Sequence, residues 1–581
     1  MIEIKDMEKR NFRTFGWVQD PSDFDALYKV VSIFNENSNT YKELVKNKIN
    51  ELIEERDGKQ RLLEALKIRP LKIKYQDLVG TSFIPRASAR CNGIVQATVK
   101  GQKRPFISDW PADNFIRWAQ CLGFIKYNYF DDTFEITETG LEFSNSLQDE
   151  EKNEILENAI LSYPPAVRIL NLLEDGSIKT KFELGKNLGF VGEDGFTSLP
   201  QDILVMTLGT EDNVKEKNKL RTDIEGSSDK YARMIAKWLT KLGLVKQVSK
   251  SVTVNIGDEK YTENIGQSYI ITSKGLKALN KSRGKSKFKK LAKNISWEML
   301  ATKGIDRDYI RTRRAYIIKI LSESKSGLSF EEIRDRLEFY AISELFTVVK
   351  DDIDGLINIG LNINIKNNKY YLEDEINDFV IPRIINDNSS KSDITIKKDE
   401  LRENLDALSH EYLSLVDLSF DSNQNRLFEM KVIELLIKEC NYKGLHLGGS
   451  RKPDGIIYTN ELTNNYGVII DTKAYSKGYD LPISQVDEMT RYVEENNKRD
   501  KTRNPNEWWN NFSDNIGEFY FTFISGEFKG NIDEKLSRIS IATNRKGAAI
   551  AIMSLLKMAN EIKAKRIDLE MVKNVFQNKV Y

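Results

Sequence analysis

The chain has 581 residues, room for about four domains at roughly 150 residues each. Its 88 Lys and Arg are offset by 87 Asp and Glu, so net charge does not point to nucleic acid, and a basic face balanced by acidic surface elsewhere stays open. Three scattered cysteines (Cys91, Cys121, Cys440) and two histidines (His410, His446) argue against a disulfide framework, a structural zinc or a histidine-based metal cluster. The cysteines are expected to be buried small apolar residues. The charged N-terminus and the lack of any run of about 18 apolar residues predict no signal peptide and no membrane span, hence a reduced, cytoplasmic protein.

In chain order, the first signal is a repeat. Residues 108–125 (SDWPADNFIRWAQCLGFI) align without gaps with residues 228–245 (SDKYARMIAKWLTKLGLV), pairing Trp118 with Trp238 and Gly123 with Gly243. Each copy opens on Ser-Asp, read as an N-cap. Each has apolar residues at helical spacing, such as Met234, Ile235, Trp238, Leu239 and Leu242, and ends on Leu-Gly, a C-cap signal. A β-rich hairpin follows each, closing on Ile136-Thr-Glu-Thr-Gly-Leu141 and Ile271-Thr-Ser-Lys-Gly-Leu276. The earlier helices of the second copy lie in PAVRILNLL and KFELGKNLG. Helix, helix, hairpin is the order of a winged helix-turn-helix. A fainter third copy spans 351–372, after LSFEEIRDRL, and its helix carries no basic residue. Copies one and two are read as DNA-binding, copy three as a protein-interaction or spacer unit. The competing reading for all three is packing alone.

Residues 382–396 (PRIINDNSSKSDITI) have linker composition, and 399–418 is expected to be a helix opening a new unit. The expected divisions are 1–148, 149–290, 291–381, a linker at 382–396 and 397–581.

The last unit contains HLGGSRKPDGIIY, with Asp454, and seventeen residues later GVIIDTK, with Asp471 and Lys473. The Val-Ile-Ile run reads as a buried central strand, and TNELTNNYG between the motifs as a turn joining two neighbouring strands. Asp471 and Lys473, two apart, share a face. Two carboxylates with the Thr472 backbone carbonyl would make an oxygen cage for a hard divalent cation, Mg2+ with Mn2+ as a substitute. Lys473 would orient or deprotonate a water and offset phosphate charge, while the cation polarised the phosphate. Such a string often arises by chance, but burying its charges at the end of a β-branched strand is costly without a ligand. Glu429 and Glu434, on the helical RLFEMKVIELLIKE, are both candidates for an additional carboxylate behind the site. Phosphodiester hydrolysis is the expected chemistry. A DNA-binding regulator with an inactive nuclease unit, and a repair or structure-specific nuclease, are the alternatives.

HLGGSRKPDG, DTKAYS, DEM-x-RYVEEN, NPNEWW and ISGEFKGN resemble the cleavage domain of FokI-type type IIS restriction endonucleases. RTFGWVQ, SYPPAVRIL, KNLGFVGEDGFTSLP, EGSSDKYARMI, WEMLAT and RTRRA extend the resemblance over essentially the whole chain. The resemblance implies three winged-helix-related recognition subdomains tethered to an α/β PD-(D/E)xK nuclease domain, with a central mixed sheet flanked by helices. It implies reading of an asymmetric double-stranded DNA site and cutting of both strands at a fixed distance outside it. A third subdomain that holds the nuclease inactive until DNA is bound, and a cognate DNA methyltransferase as functional partner, also follow from it.

The family's catalytic positions fall on Asp454, Asp471 and Lys473. Asp487 and Arg491 fall on a pair used across a two-fold between cleavage domains, which suits an isologous dimer. For DNA, Glu225 is expected to accept from cytosine, Lys230 to donate to guanine, Arg233 to reach base or phosphate, and Trp110 to make apolar major-groove contact. Thr222, near the second recognition helix, stands where the family carries Asn, and 85–91 (PRASARC) in the first subdomain is less acidic than in the family, so the sequence read by the first subdomain is expected to differ, with part of the site read by the second shared.

Overall fold

The computed structural model describes residues 2–8, 13, 15–53, 56–80, 93–99, 110–257, 259–285, 289–384, 391–449 and 451–581. Residues 85–91, with Cys91, and the Ser108–Asp109 pair lie outside them. The chain starts on β1 (Ile2–Met7), and one strand–helix–helix–hairpin unit then recurs. In the first copy the two-residue strand Ile73–Lys74 leads into helix Tyr75–Val79, and α1 (Trp110–Cys121) precedes β2 (Ile125–Asn128) and β3 (Thr133–Ile136). In the second, Lys179–Thr180 leads into α2 (Lys181–Lys186), α3 (Gln201–Thr210) intervenes, and α4 (Ser227–Lys241) precedes the long strands β4 (Val245–Ile256) and β5 (Glu259–Ile271). The third, after α5 (Arg307–Ser322), runs Leu328–Ser329, α6 (Phe330–Phe339), α7 (Phe346–Asn358), β6 (Ile363–Lys366) and β7 (Lys369–Leu372). In every copy the short strand pairs antiparallel with the second hairpin strand.

The repeat is built from matching physical causes. Met234, Ile235, Trp238 and Leu239 are buried, and Gly123 and Gly243 take φ of +74° and +72° to end their helices. The aligned tryptophans stack on each other, with Trp118 and Trp238 ring centroids 5.0 Å apart. The shared Thr-x-x-Gly phrase caps the next helix: the Thr137 and Thr272 hydroxyls accept the Gly140 and Gly275 amides at 3.0 Å. A Cβ at either glycine would lie 2.0 Å from the Phe124 or Leu244 carbonyl oxygen, so the motif tolerates nothing larger.

The Ser-Asp cap expectation is corrected in the second copy. Gly226 is the N-cap of α4, and Ser228–Asp229 sit inside the first turn. Asp229 instead accepts the Gly226 amide at 2.8 Å and the Leu199 amide at 2.9 Å, pinning the preceding loop to the helix. Burial pushes its carboxyl up to about 7.

The linker expectation is also corrected. Residues 382–384 belong to β8 (Phe379–Ile384), which pairs parallel with β1 in the register Ile2↔Phe379; Phe379 and Ile381 are buried. Residues 385–390 lie outside the described set. The next helix, α8 (Asp393–Asn404), starts at a Ser392 cap rather than at Asp399. It does not run on to 418, because the Ala407 and Leu408 amides turn to the Asn560 side chain at 2.9 and 3.0 Å.

After α9 (Asn425–Lys438) comes one six-stranded sheet: β9 (Lys443–His446), β10 (Gly455–Tyr458), β11 (Tyr466–Lys473), then α10 (Ile483–Lys498), β12 (Glu518–Ser525), α11 (Ile532–Thr543), β13 (Gly547–Ala551) and β14 (Lys579–Val580). The strands lie in chain order; β9–β10–β11 pair antiparallel and β11 to β14 pair parallel. Val468 and Ile470 face the core shared with α9, and Ile469 faces the core shared with α10 and α11, so both faces of β11 are buried.

Helix α3 lies against β9 and α9, and Ile203, Leu204 and Leu208 share one core with Leu435 and Leu436. Ion pairs extend this seam. Lys438 meets Asp202 at 2.9 Å and Lys186 meets Glu411 at 3.0 Å. From the third unit, Asp351 holds Arg402 and His410, both at 2.9 Å.

Candidate active site and nucleic-acid interface

Asp454 immediately precedes β10. The antiparallel register Gly455↔Ile470 therefore sets it opposite Asp471, near the end of β11. Its Oδ2 accepts the Thr472 amide at 2.7 Å and the Thr472 hydroxyl at 3.0 Å. On the same strand, Lys473 Nζ stands 2.8 Å from Asp471 Oδ1. Burial, then the neighbouring Asp454 charge, raises Asp471 well above the carboxylate range against the pull of Lys473. Burial, then the Glu429 charge, raises Asp454. Burial opposes the charge on Lys473, but Asp471 and Asp454 beside it hold its ammonium above the ordinary value.

Two carboxyl groups set against each other need a proton or a cation between them. Asp454 stands opposite Asp471 in the strand register and its charge raises the Asp471 carboxyl; an all-oxygen pair of this kind fits a hard divalent cation that keeps several waters. Among the described residues no group of three or more His, Cys, Asp or Glu side chains is arranged to hold a metal. The fit is thus to two carboxylates completed by backbone and water.

Glu429 and Glu434 separate cleanly. Glu434 turns from the site to Lys431 at 2.8 Å and Lys438 at 3.3 Å. Glu429 lies behind the site. Burial raises its carboxyl against the pull of Arg426 and Lys473, and its Oε2 is 3.2 Å from His446 Nε2 and 3.1 Å from Arg426 Nη1. His446 received no role from the sequence. One signal for it was available: α3 is apolar on nearly every face (Ile203, Leu204, Val205, Met206, Leu208), which marks a helix buried on several sides, here between the two halves of the chain.

In the second copy Glu225 is nearly buried. It accepts from Lys181 at 2.5 Å and from Arg233 at 3.0 and 3.1 Å. Burial opposes its charge, but these two cations hold it below the usual glutamate range. Lys230 is half-buried on the first turn of α4. Trp110 is 41% exposed at the start of α1, with the Arg117 guanidinium 5.8 Å from its ring centroid. Arg311, Arg313 and Arg314, in the RTRRA stretch, are buried. Arg313 and Arg314 converge on Asp352 at 2.6 and 2.7 Å.

Asp487 and Arg491 lie on α10 and do not pair within the chain. Asp487 is 3.7 Å from Arg538, and Arg491 is 3.3 Å from Glu488. Cys121 and Cys440 are buried and free, as expected. No helix among the described residues is long and apolar enough to cross a membrane.

Helix-and-hairpin units in series, carrying a mixed-sheet unit with an Asp/Asp/Lys cluster, define a multidomain endonuclease. The comparisons make this specific. Family models match residues 13–146 (FokI, recognition domain, subdomain 1), 152–287 (FokI, recognition domain, subdomain 2), 300–368 (FokI, D3 domain) and 391–580 (FokI, cleavage domain). The chain is 47% identical over 571 residues to the type II restriction enzyme FokI of Planomicrobium okeanokoites, covering 97% of this chain and 98% of that one. It is 32% identical over 588 residues to the type II restriction enzyme StsI of Streptococcus sanguinis, covering 98% and 96%. Solved structures of restriction endonuclease FokI, alone and bound to DNA, superpose with TM-scores of 0.91 and 0.92 at 46% identity, each covering 98% of this chain and 100% of that one. The chain belongs to the FokI family of type II restriction enzymes.

Proposed function

We infer that this chain is a type IIS restriction endonuclease, which binds a short asymmetric site in double-stranded DNA and hydrolyses both strands at a fixed distance outside it. The observation that carries this is the Asp454–Asp471–Lys473 cluster on paired strands, in a chain whose relatives named as type II restriction enzymes match it end to end.

The division we propose is two winged-helix recognition subdomains (1–148 and 149–290), a third winged-helix-like unit (291–381) and a PD-(D/E)xK nuclease domain (397–581). The strand–helix–helix–hairpin order of the three copies supports the winged-helix reading. Trp110, Glu225, Lys230 and Arg233 are the DNA-reading candidates. Glu225 holds Arg233 by two parallel bonds, which orients the guanidinium fork for a bidentate contact.

At the cleavage centre Asp454, Asp471 and the Thr472 carbonyl would hold Mg2+, or Mn2+ in its place. When bound, the ion supplies charge stabilisation at the scissile phosphate. Lys473 orients the attacking water and offsets the growing negative charge. Glu429 sets the field behind Asp454. Each centre cuts one strand, so a second copy is required, with Asp487 and Arg491 meeting their counterparts across a two-fold. The working environment is the bacterial cytoplasm, beside a cognate DNA methyltransferase that protects the host site.

Supercoiled plasmid incubated with the protein and Mg2+ tests the enzyme claim. Linear product that chelator abolishes, and that is lost in Asp454→Ala, Asp471→Ala and Lys473→Ala while binding persists, is expected. No linear product at high protein concentration would leave only a DNA-binding protein.

A further inference from the structure

His446 is fully buried, and both of its ring nitrogens are engaged by different halves of the molecule. Nδ1 is 3.0 Å from the hydroxyl of Thr207 on α3, which belongs to the second recognition unit. Nε2 is 3.2 Å from Glu429 Oε2 on α9, behind Asp454. The other partner of Glu429 is Arg426, whose side chain is about a third exposed, so the imidazole is its buried anchor. The Thr207 hydroxyl also lies 2.8 Å from the Ile203 carbonyl of its own helix, which fixes its rotamer. Four residues further along the chain, Glu211 approaches Lys452 at 3.7 Å. A Cβ on Gly449 would come within 3.3 Å of its carboxylate. The end of α3 therefore rests on Gly449 and Lys452, just ahead of Asp454.

We propose that His446 is a positioning residue: its ring sets Glu429 behind the cleavage centre and is itself set by Thr207, so that the seating of recognition helix α3 is felt at the nuclease site. This rests on the reading of Asp454 and Asp471 as a cation site. The ring acts as a neutral spacer, since burial, then the nearby Arg426 charge, lowers it to about 3. A planar ring bonded at both nitrogens cannot rotate without breaking both bonds. Loss of the Thr207 bond leaves it free to turn, and Glu429 with it.

Two amides divide the ring's functions. In His446→Asn the amide falls near the place of Nδ1, keeping Thr207 and losing Glu429; in His446→Gln it reaches the place of Nε2, keeping Glu429 and losing Thr207. The measurement is Mn2+ affinity of the full-length protein without DNA, read from the free-ion electron paramagnetic resonance signal, with Mg2+ titrations of cleavage alongside. His446→Asn should weaken Mn2+ binding about tenfold and His446→Gln about threefold. Thr207→Val, nearly isosteric and leaving the nuclease chain untouched, should weaken it about threefold, with Thr207→Ser restoring the wild-type value. Equal affinities for the two amide variants, or a Thr207→Val protein indistinguishable from wild type, would overturn the proposal. Absence of Mn2+ binding in the wild-type protein would instead remove the cation reading beneath it.

Discussion

Asp454 accepts the main-chain amide of Thr472 at 2.7 Å, so the turn aspartate is tied to the strand that carries Asp471 and Lys473. Asparagine at 454 keeps an acceptor for that amide while removing the charge. Asp454→Asn should therefore melt as wild type and bind its DNA site normally, yet cleave at least about a hundredfold more slowly, the scale of losing a group that acts on transition-state charge. Single-turnover cleavage alongside a binding assay checks this. Cleavage within a few fold of wild type would remove Asp454 from the site.

Protonation gives a second test, with signs worked out group by group. Asp471 and Asp454 are raised above their ordinary 3.8. Their contribution to metal-free stability is therefore full below pH 4 and is lost as pH rises through the folded values. In the proposed cation site, a divalent cation would take the place of protons on these carboxyls. The gain in melting temperature on adding Mg2+ should be larger at pH 8 than at pH 5, and Asp471→Asn should abolish the difference.

His446 titrates with the opposite consequence. Its folded value is lowered to about 3 from 6.5, so its contribution is complete above pH 6.5 and is lost as pH falls toward 3. The slope for one proton is about 1.4 kcal/mol per pH unit. His446→Gln should flatten the acid limb of the stability profile between pH 6 and 4, as measured by denaturant unfolding.

Arg491 meets Glu488 at 3.3 Å and the buried Glu495 at 3.9 Å on its own helix, and the half-exposed Glu488 pair is of the kind worth a few tenths of a kcal/mol. The proposed dimer exchanges it for a partner's Asp487. Asp487→Ala or Arg491→Ala should slow double-strand cleavage about tenfold or more, leave site binding unchanged and steepen the dependence on enzyme concentration. Unchanged double-strand cleavage would count against this helix as the dimer face.

Asp351 bridges the third unit to Arg402 and His410 of the nuclease unit. Asp351→Asn should loosen the docked nuclease and raise nicking of plasmid lacking the recognition site several fold. Wild-type selectivity in this variant would place the restraint elsewhere, with α3 the next candidate.

These expectations draw on features of unequal visibility in the sequence. The Asp471–Lys473 pair was legible because its cause is local: a β-branched run specifies the strand, and a spacing of two specifies the face. The α4 face was legible for the same reason, from Met234, Ile235 and Trp238. Features whose partners lie far along the chain were not. Asp229 looked like a cap, but its role depends on the Leu199 amide, thirty residues earlier. Residues 382–384 had linker composition, yet their strand is specified by the opening residues of the chain. The partners that hold the Glu225 carboxylate, Lys181 and Arg233, were not visible either, Lys181 lying far back along the chain. His446 acquires its role only when α3 is packed against β9.

The central claim is cleavage at a fixed distance by a cation-dependent centre tethered to separate recognition units. Mapping the cut ends on a sequenced plasmid tests it most directly. One offset on each strand, always beside the same short asymmetric sequence and only with Mg2+ or Mn2+ present, is predicted; ends that scatter, or that follow DNA structure rather than sequence, would contradict it.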